Sequence, residues 1–202
     1  MTSSPSEDVC AAKALARRAG LAARDGLDAA TRARLAARLV VEGRRLAAAL
    51  APGEAVSLFV AMRSEPDLDP LAQALHAAGR PLCLPVMQGK GQALIFRRWA
   101  PGQALAQARF GVREPSAEAA LATPALLFVP LAAFDRDGAR VGYGGGFYDR
   151  TLARLRASRR VLACGVAFAA QAQARVPVES TDEKLDMIVT ETETLVFTRE
   201  NS

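Results

Sequence analysis

Apolar positions along this chain alternate between helical and extended spacing, and capping or breaking residues mark the changes. From Val9 to Ala23 the pattern of Ala, Leu and Arg predicts one helix, preceded by a polar stretch over 1–8 that is expected to fray. A second helix is predicted from Asp28 as N-cap to Leu50, because Leu35, Leu39, Leu46 and Leu50 keep to one face and Pro52-Gly53 stops it. Val56 to Met62 is an apolar run of strand length. A third helix is punctuated by Asp69 as N-cap, Pro70 in the first turn and Gly79 just past the end. Leu82–Val86 reads as a buried strand, Ala93–Arg98 as another followed by Trp99, and 102–123 as loop-rich. Ala125–Val129 is a strongly apolar strand. A glycine-rich passage follows, then a helix over Tyr148–Ala157 and strands at Val161–Phe168, Met187–Thr190 and Leu195–Phe197. Strands alternating with helices predict an α/β class, with a mainly parallel sheet between helical layers. No repeat or linker divides the chain, so 1–202 reads as a single domain.

Composition narrows the function. With 202 residues, half of them apolar, the chain can bury one core of ordinary size. No apolar run approaches the ~18 residues of a membrane-spanning helix. The net charge of +5 is carried mostly by Arg, whose planar fork suits phosphate and carboxylate groups, so anionic partners are favoured. His76 is the only histidine and lies in an Ala-rich helical stretch, where a structural or surface role is expected rather than catalysis. Cys10, Cys83 and Cys164 are odd in number and far apart, which fits neither a disulfide framework nor a zinc site. Without an apolar leader core, a cytoplasmic location is expected.

The densest chemical signal is the string RVGYGGGFYDR, from Arg140 to Arg150. Gly142, Gly144, Gly145 and Gly146 let the backbone approach a ligand closely and aim several N–H groups at it, and the helix that follows adds partial positive charge. Phosphate is the natural ligand of such a loop. Arg140 and Arg150 could neutralise more of its charge, and Asp149 could hold a magnesium ion. The string is neither a Walker A loop nor a dinucleotide fingerprint. It is loosely similar to the aromatic–glycine octapeptide of RNA-recognition modules, although the element order does not give that module.

Residues 129–150, VPLAAFDRDGARVGYGGGFYDR, resemble the signature of the 5-formyltetrahydrofolate cyclo-ligase family, also called methenyltetrahydrofolate synthetases. That signature is a Val-Pro-Leu…Phe-Asp strand end and a Gly, then Arg-Leu-Gly-Tyr-Gly-Gly-Gly-Tyr-Tyr-Asp. Other blocks are similar in the same order: Lys13 to Arg17, Phe59 to Glu65, Phe110 to Pro115, and Glu179 to Asp186. The resemblance spans roughly Lys13 to Thr190. It implies a sugar-phosphate-isomerase/CoA-transferase-like, Rossmann-like three-layer fold. It also implies ATP-dependent closure of 5-formyltetrahydrofolate to 5,10-methenyltetrahydrofolate through a phosphorylated formyl intermediate.

The resemblance carries roles as well. Lys13 and Arg17 are similar to the family's ATP-phosphate ligands. Arg140, Val141, Gly142, Tyr143, Gly144, Gly145, Gly146, Phe147 and Tyr148 are similar to its ATP-binding loop, with Arg140 and Tyr143 as catalytic residues. Asp149 and Asp182 correspond to the Mg2+ ligands, and Glu65 to the residue that accepts hydrogen bonds from the pterin. Met62 and Trp99 are candidate apolar walls for the folate rings, and Tyr143 and Tyr148 could touch both substrates.

The chain departs from the family at several positions. Pro66, Asp67 and Leu68 stand where a hydrophobic residue, an acid and Thr are common; Phe147 replaces a frequent Tyr, and Thr181 a usual His. The alternatives are a diverged paralogue that binds ATP and another folate or heterocycle, or an RNA-binding module. The expected partners are small molecules, ATP and 5-formyltetrahydrofolate, with no nucleic acid and no membrane, and the expected assembly is a monomer or weak homodimer.

Overall fold

A computed structural model describes residues 5–108 and 111–197. Of the stretch expected to fray, 1–4 lie outside the described residues, whereas Pro5 already opens helix α1 (Pro5–Asp25). Phe110, which begins one of the family-like blocks, also lies outside them. Helix α2 (Ala29–Ala48) starts as its sequence predicts: the Asp28 side chain accepts from the Thr31 N–H at 2.7 Å. Strand β1 (Ala55–Ser57) is shorter than its apolar run, because the chain leaves the sheet after Ser57 to build a turn at 62–65. Helix α3 (Asp69–Ala77) is capped by Leu68, not Asp69; the Asp69 N–H instead donates to the Asp67 carboxylate at 2.9 Å.

Strands β2 (Leu82–Val86) and β3 (Ile95–Arg98) follow. The loop-rich stretch also holds three two-residue strands: β4 (Ala106–Gln107), β5 (Arg113–Glu114) and β6 (Leu121–Ala122). After β7 (Pro124–Pro130) come the short β8 (Ala133–Phe134) and β9 (Arg140–Val141). Helix α4 (Phe147–Arg156) precedes β10 (Leu162–Val166), a short 3-10 turn at Ala169–Gln171, β11 (Met187–Val189) and β12 (Thr194–Val196).

One eight-stranded sheet, in the order β12-β11-β10-β7-β1-β2-β3-β6, forms the middle layer. Its five central strands are parallel, and β12, β3 and β6 add antiparallel edges. Side chains along β7 alternate between two cores. Leu126 and Phe128 pack with Leu35, Leu39, Leu71 and Leu75 of α2 and α3, whereas Leu127 and Val129 pack with Leu152 and Leu155 of α4. This is the three-layer α/β arrangement that the sequence implies. No helix among the described residues is long and apolar enough to cross a membrane.

The strand order locates a crevice. From β1 the chain moves to β2 on one side and later returns to β7 on the other, so the order reverses between β1 and β7. Ligands of open α/β sheets bind at such a reversal, beyond the carboxyl ends of the strands. There β1 feeds the segment 58–65 and β7 feeds 131–146. Helix α1 packs on β8, β9 and the 3-10 turn, burying Ala16, Gly20 and Arg24 at helical spacing.

Candidate active site

The glycine string is a loop, not a strand: only Arg140 and Val141 pair in a sheet. Aromatic residues are therefore not displayed on a sheet face, as base stacking by an RNA-recognition module would require. Gly144 and Gly146 hold φ of +91° and +60°, which a side chain would strain. Gly146 caps α4 without a side-chain hydrogen bond, so the first N–H groups of that helix are left for a ligand.

Helix α1 supplies cations to this loop. Arg17 Nε donates to the Gly142 carbonyl at 2.7 Å. One turn earlier, Lys13 Nζ reaches both oxygens of Asp182 at 2.8 and 2.6 Å and Glu179 Oε2 at 2.7 Å. Burial works against the Lys13 ammonium, but the hydrogen bonds it donates to Asp182 and Glu179, with their negative charge, outweigh it and raise its pKa. Arg18 is exposed, so spacing along the helix separates the site cations from an ordinary basic face.

Arg140 is buried, and both of its terminal nitrogens are engaged. Its Nη2 donates to Asp149 Oδ1 at 2.6 Å, and its Nη1 donates to the Glu183 carbonyl. It therefore holds the two segments that carry Asp149 and Asp182, where the sequence led us to expect it at the phosphates. The Glu183 N–H also donates to Asp149 Oδ1, at 3.2 Å, which brings Asp149 beside the residue that follows Asp182.

The donor chemistry here suits a hard cation. Two carboxylates lie on adjoining segments, and Asp149 Oδ2 has no protein donor among the described residues. No group of three or more His, Cys, Asp or Glu among the described residues forms a metal cage. Magnesium fits such a place, since it takes one or two carboxylates and completes its shell with water and phosphate oxygens.

Glu65 and Tyr143 meet across the crevice. The Met62 N–H donates to Glu65 Oε2 at 2.8 Å, closing the turn at 62–65, in which Arg63 adopts a φ of 53°. Burial raises the Glu65 carboxyl above its ordinary 4.5; hydrogen bonding from Tyr143 and Met62 and the charge of Arg24 oppose this. The Tyr143 hydroxyl is pushed up by burial and then by the Glu65 charge. Tyr148 is half-buried and packs with Phe147 against the core shared with α4; burial raises its hydroxyl too.

Trp99 belongs to another part of the crevice. With Leu58, Phe59, Val60, Leu68 and Leu84 it lines a cleft of about 270 Å³, to which Asp69, Gln103 and Arg113 add polar groups. The structure thus gathers Lys13, Arg17, Glu65, Arg140, Tyr143, Asp149 and Asp182 along one crevice, with Trp99 in a cleft of mixed polarity. It adds residues that sequence reasoning passed over: Arg24, Ser64, Arg32 and Glu179. Arg24 could have been found, because seven residues after Arg17 it returns to the same helix face. Burial raises the Cys83 thiol to about 12 and raises that of Cys164 as well, so neither is poised as a thiolate.

Comparison with known proteins bears on the family and the fold. The model of the 5-formyltetrahydrofolate cyclo-ligase family matches residues 10–191. The chain is similar to 5-formyltetrahydrofolate cyclo-ligase of Escherichia coli (strain K12), at 34% identity over 140 residues, covering 67% of this chain and 76% of that one. It is also similar to the NMR structure of Aquifex aeolicus 5,10-methenyltetrahydrofolate synthetase, with a TM-score of 0.74 and 28% identity over 94% of this chain and 95% of that one. A 5,10-methenyltetrahydrofolate synthetase from Mycoplasma pneumoniae shares the fold, with a TM-score of 0.67 at 21% identity over 89% and 98% of the two chains.

Proposed function

Because the chain belongs to the 5-formyltetrahydrofolate cyclo-ligase family, we propose that it converts 5-formyltetrahydrofolate and ATP to 5,10-methenyltetrahydrofolate, ADP and phosphate. The observation that carries this reading is the meeting, at one sheet reversal, of a cation-flanked glycine loop and a half-buried carboxylate, Arg17 on the Gly142 carbonyl and Tyr143 beside Glu65. The first suits a triphosphate and the second a pterin edge.

In the first step the formyl oxygen attacks the γ-phosphorus and the bond to the β-phosphate oxygen breaks, releasing ADP. The formyl carbon, now bearing a phosphate leaving group, is attacked by the neighbouring amine nitrogen. That nitrogen loses its proton, the carbon–oxygen bond breaks, and phosphate departs with the formyl oxygen. Phosphoryl transfer asks the protein for positioning and charge neutralisation more than covalent work, which suits a chain rich in Arg with a single His.

Lys13, Arg17 and the N–H groups of 142–148 bind the phosphates in this scheme. Lys13 exchanges its carboxylate partners for phosphate oxygens as nucleotide arrives. Asp149 and Asp182 would hold a magnesium ion, which neutralises phosphate charge when bound, and Arg140 keeps their two segments together. Glu65 accepts paired hydrogen bonds from the amino and ring N–H groups of the pterin, and the cleft beside Trp99, with apolar walls and Arg113 among its lining, takes another part of the folate. We place the whole described chain in one catalytic domain acting on small molecules.

The test is the growth of methenyl-folate absorbance with purified protein. Growth only when ATP, magnesium and 5-formyltetrahydrofolate are all present is expected. A flat trace from folded protein would contradict the reading and favour a paralogue that takes another heterocycle beside Glu65.

A further inference from the structure

Arg24 is an ionic side chain that the scheme above does not use. It lies in the last turn of α1 and is 3% exposed. Its two donor ends point to different walls of the crevice. Nη1 donates to the Tyr143 hydroxyl at 2.6 Å, on the glycine loop, and Nε donates to Ser64 Oγ at 3.0 Å, in the turn that ends with Glu65. The Ser64 hydroxyl in turn donates to the Asp25 carboxylate. Arg32 of α2 completes the frame, with Nη1 on the Ser64 carbonyl and Nη2 on the Arg24 carbonyl, each at 2.7 Å.

A guanidinium that donates to a tyrosine hydroxyl occupies an acceptor position on that oxygen and leaves its hydrogen free to point elsewhere. Here the hydroxyl faces Glu65. Arg24 donates to Tyr143, so the hydroxyl hydrogen is left to turn toward the Glu65 carboxylate, whose charge it feels. The same guanidinium fastens the turn that presents Glu65, whose Arg63 sits at a φ of 53° that a non-glycine residue holds only under outside constraint.

Resting on the reading that Glu65 receives the pterin, we infer that Arg24 is a positioning residue for the folate half of the reaction: it aims the Tyr143 hydroxyl and the 62–65 turn so that the Glu65 carboxylate faces its ligand in one orientation. Lys at this position would keep the charge but not the planar fork that serves two walls at once.

Steady-state kinetics of Arg24→Gln and Arg24→Lys, with each substrate varied in turn, test this. Losing charge-assisted hydrogen bonds raises the KM for 5-formyltetrahydrofolate by about tenfold to a hundredfold in both variants, while the KM for ATP moves much less. Ser64→Ala, which cuts the Nε contact and the bond to Asp25 but leaves the buried guanidinium and its contact to Tyr143 in place, gives a smaller rise with the same selectivity. A double-mutant cycle with Tyr143→Phe shows strong non-additivity, since the second change removes a link already broken. Equal rises in both KM values, additive effects in the cycle, or a Ser64→Ala variant that disturbs ATP alone would overturn the role of Arg24. Wild-type protein without turnover would overturn the functional reading itself, so the two failures are distinguishable.

Discussion

Helix α1 brings Lys13, Arg17 and Arg24 to the crevice, and its seat depends on one missing side chain. A Cβ at Gly20 would lie 2.1 Å from the Ala132 carbonyl oxygen, 3.0 Å from its carbon and 3.1 Å from Ala133 Cβ. These are mostly backbone atoms, and Gln171 Nε2 holds the Ala132 oxygen in place at 2.9 Å. Real Cβ contacts stop near 3.0 Å, so Gly20→Ala forces the helix back by about 1 Å. The Arg17 contact to Gly142, at 2.7 Å, and the Arg24 contact to Tyr143, at 2.6 Å, are then stretched toward the limit of a hydrogen bond.

Two effects oppose each other in that variant. Replacing Gly by Ala inside a helix is favourable by about 1 kcal/mol. Overpacking against atoms that cannot yield costs about 3 kcal/mol, the top of the usual range. The clash wins by about 2 kcal/mol, which for a chain of this size lowers Tm by about 4–8 °C. The KM for ATP rises about tenfold or more as the phosphate cations are displaced. Gly26→Ala is the control, since nothing stands within 3.7 Å of a Cβ there; its Tm and kinetics stay near wild type. Thermal unfolding and initial rates of methenyl formation measure both. A Gly20→Ala protein with wild-type Tm and wild-type KM for ATP would refute the docking argument.

Further outcomes follow from the same geometry. Asp149→Asn keeps an acceptor for Arg140 but loses the carboxylate charge, so turnover falls by about a hundredfold or more with circular dichroism unchanged; near-normal rates in the folded variant would remove Asp149 from the phosphate site. Glu65→Gln weakens folate binding and leaves the KM for ATP close to wild type, and a folate dependence identical to wild type would sink that role. The same substitution alters stability in a pH-dependent way. Since burial raises the Glu65 pKa above 4.5, the folded state binds the proton more tightly, and the wild type loses stability as pH rises through the raised value. Glu65→Gln is therefore the more heat-stable protein at neutral pH, with an advantage that shrinks as pH falls toward 4.5; a constant difference across that window would contradict the buried-carboxylate account. Trp99 is the only tryptophan and lines that cleft, so its fluorescence changes on adding 5-formyltetrahydrofolate and not on adding ATP alone; a signal that responds only to ATP would place the folate elsewhere.

Much of this architecture is legible in the sequence because its signals are local. Asp28 caps α2 as its side-chain chemistry requires, and the run around Leu126 to Val129 forms the buried central strand. Where local signals mislead, long-range contacts decide. The apolar run after Val56 looks like a long strand, yet Leu58 and Phe59 leave the sheet to line the crevice. Asp69 has the chemistry of a cap, but the chain enters α3 one residue earlier and the Asp67 carboxylate takes the Asp69 N–H.

The site shows the same division. Glycines and charged residues close in sequence mark the loop at 140–150, whereas the partners of the helix α1 cations lie far along the chain. Lys13 meets Asp182, and Arg24 meets Ser64 and Tyr143. Arg140 reads from sequence as a phosphate ligand because it flanks the loop; its commitment to Asp149 and the Glu183 carbonyl depends on a return of the chain that no local pattern reveals.

In the proposed scheme the formyl oxygen is phosphorylated before the ring closes. The most direct measurement is a single turnover with 5-formyltetrahydrofolate carrying heavy oxygen in its formyl group, followed by mass analysis of the phosphate released. The account predicts that the heavy atom leaves in inorganic phosphate, one per methenyl product formed. Phosphate without the label, with the heavy oxygen recovered in water, would show that ATP hydrolysis and ring closure are joined in some other way.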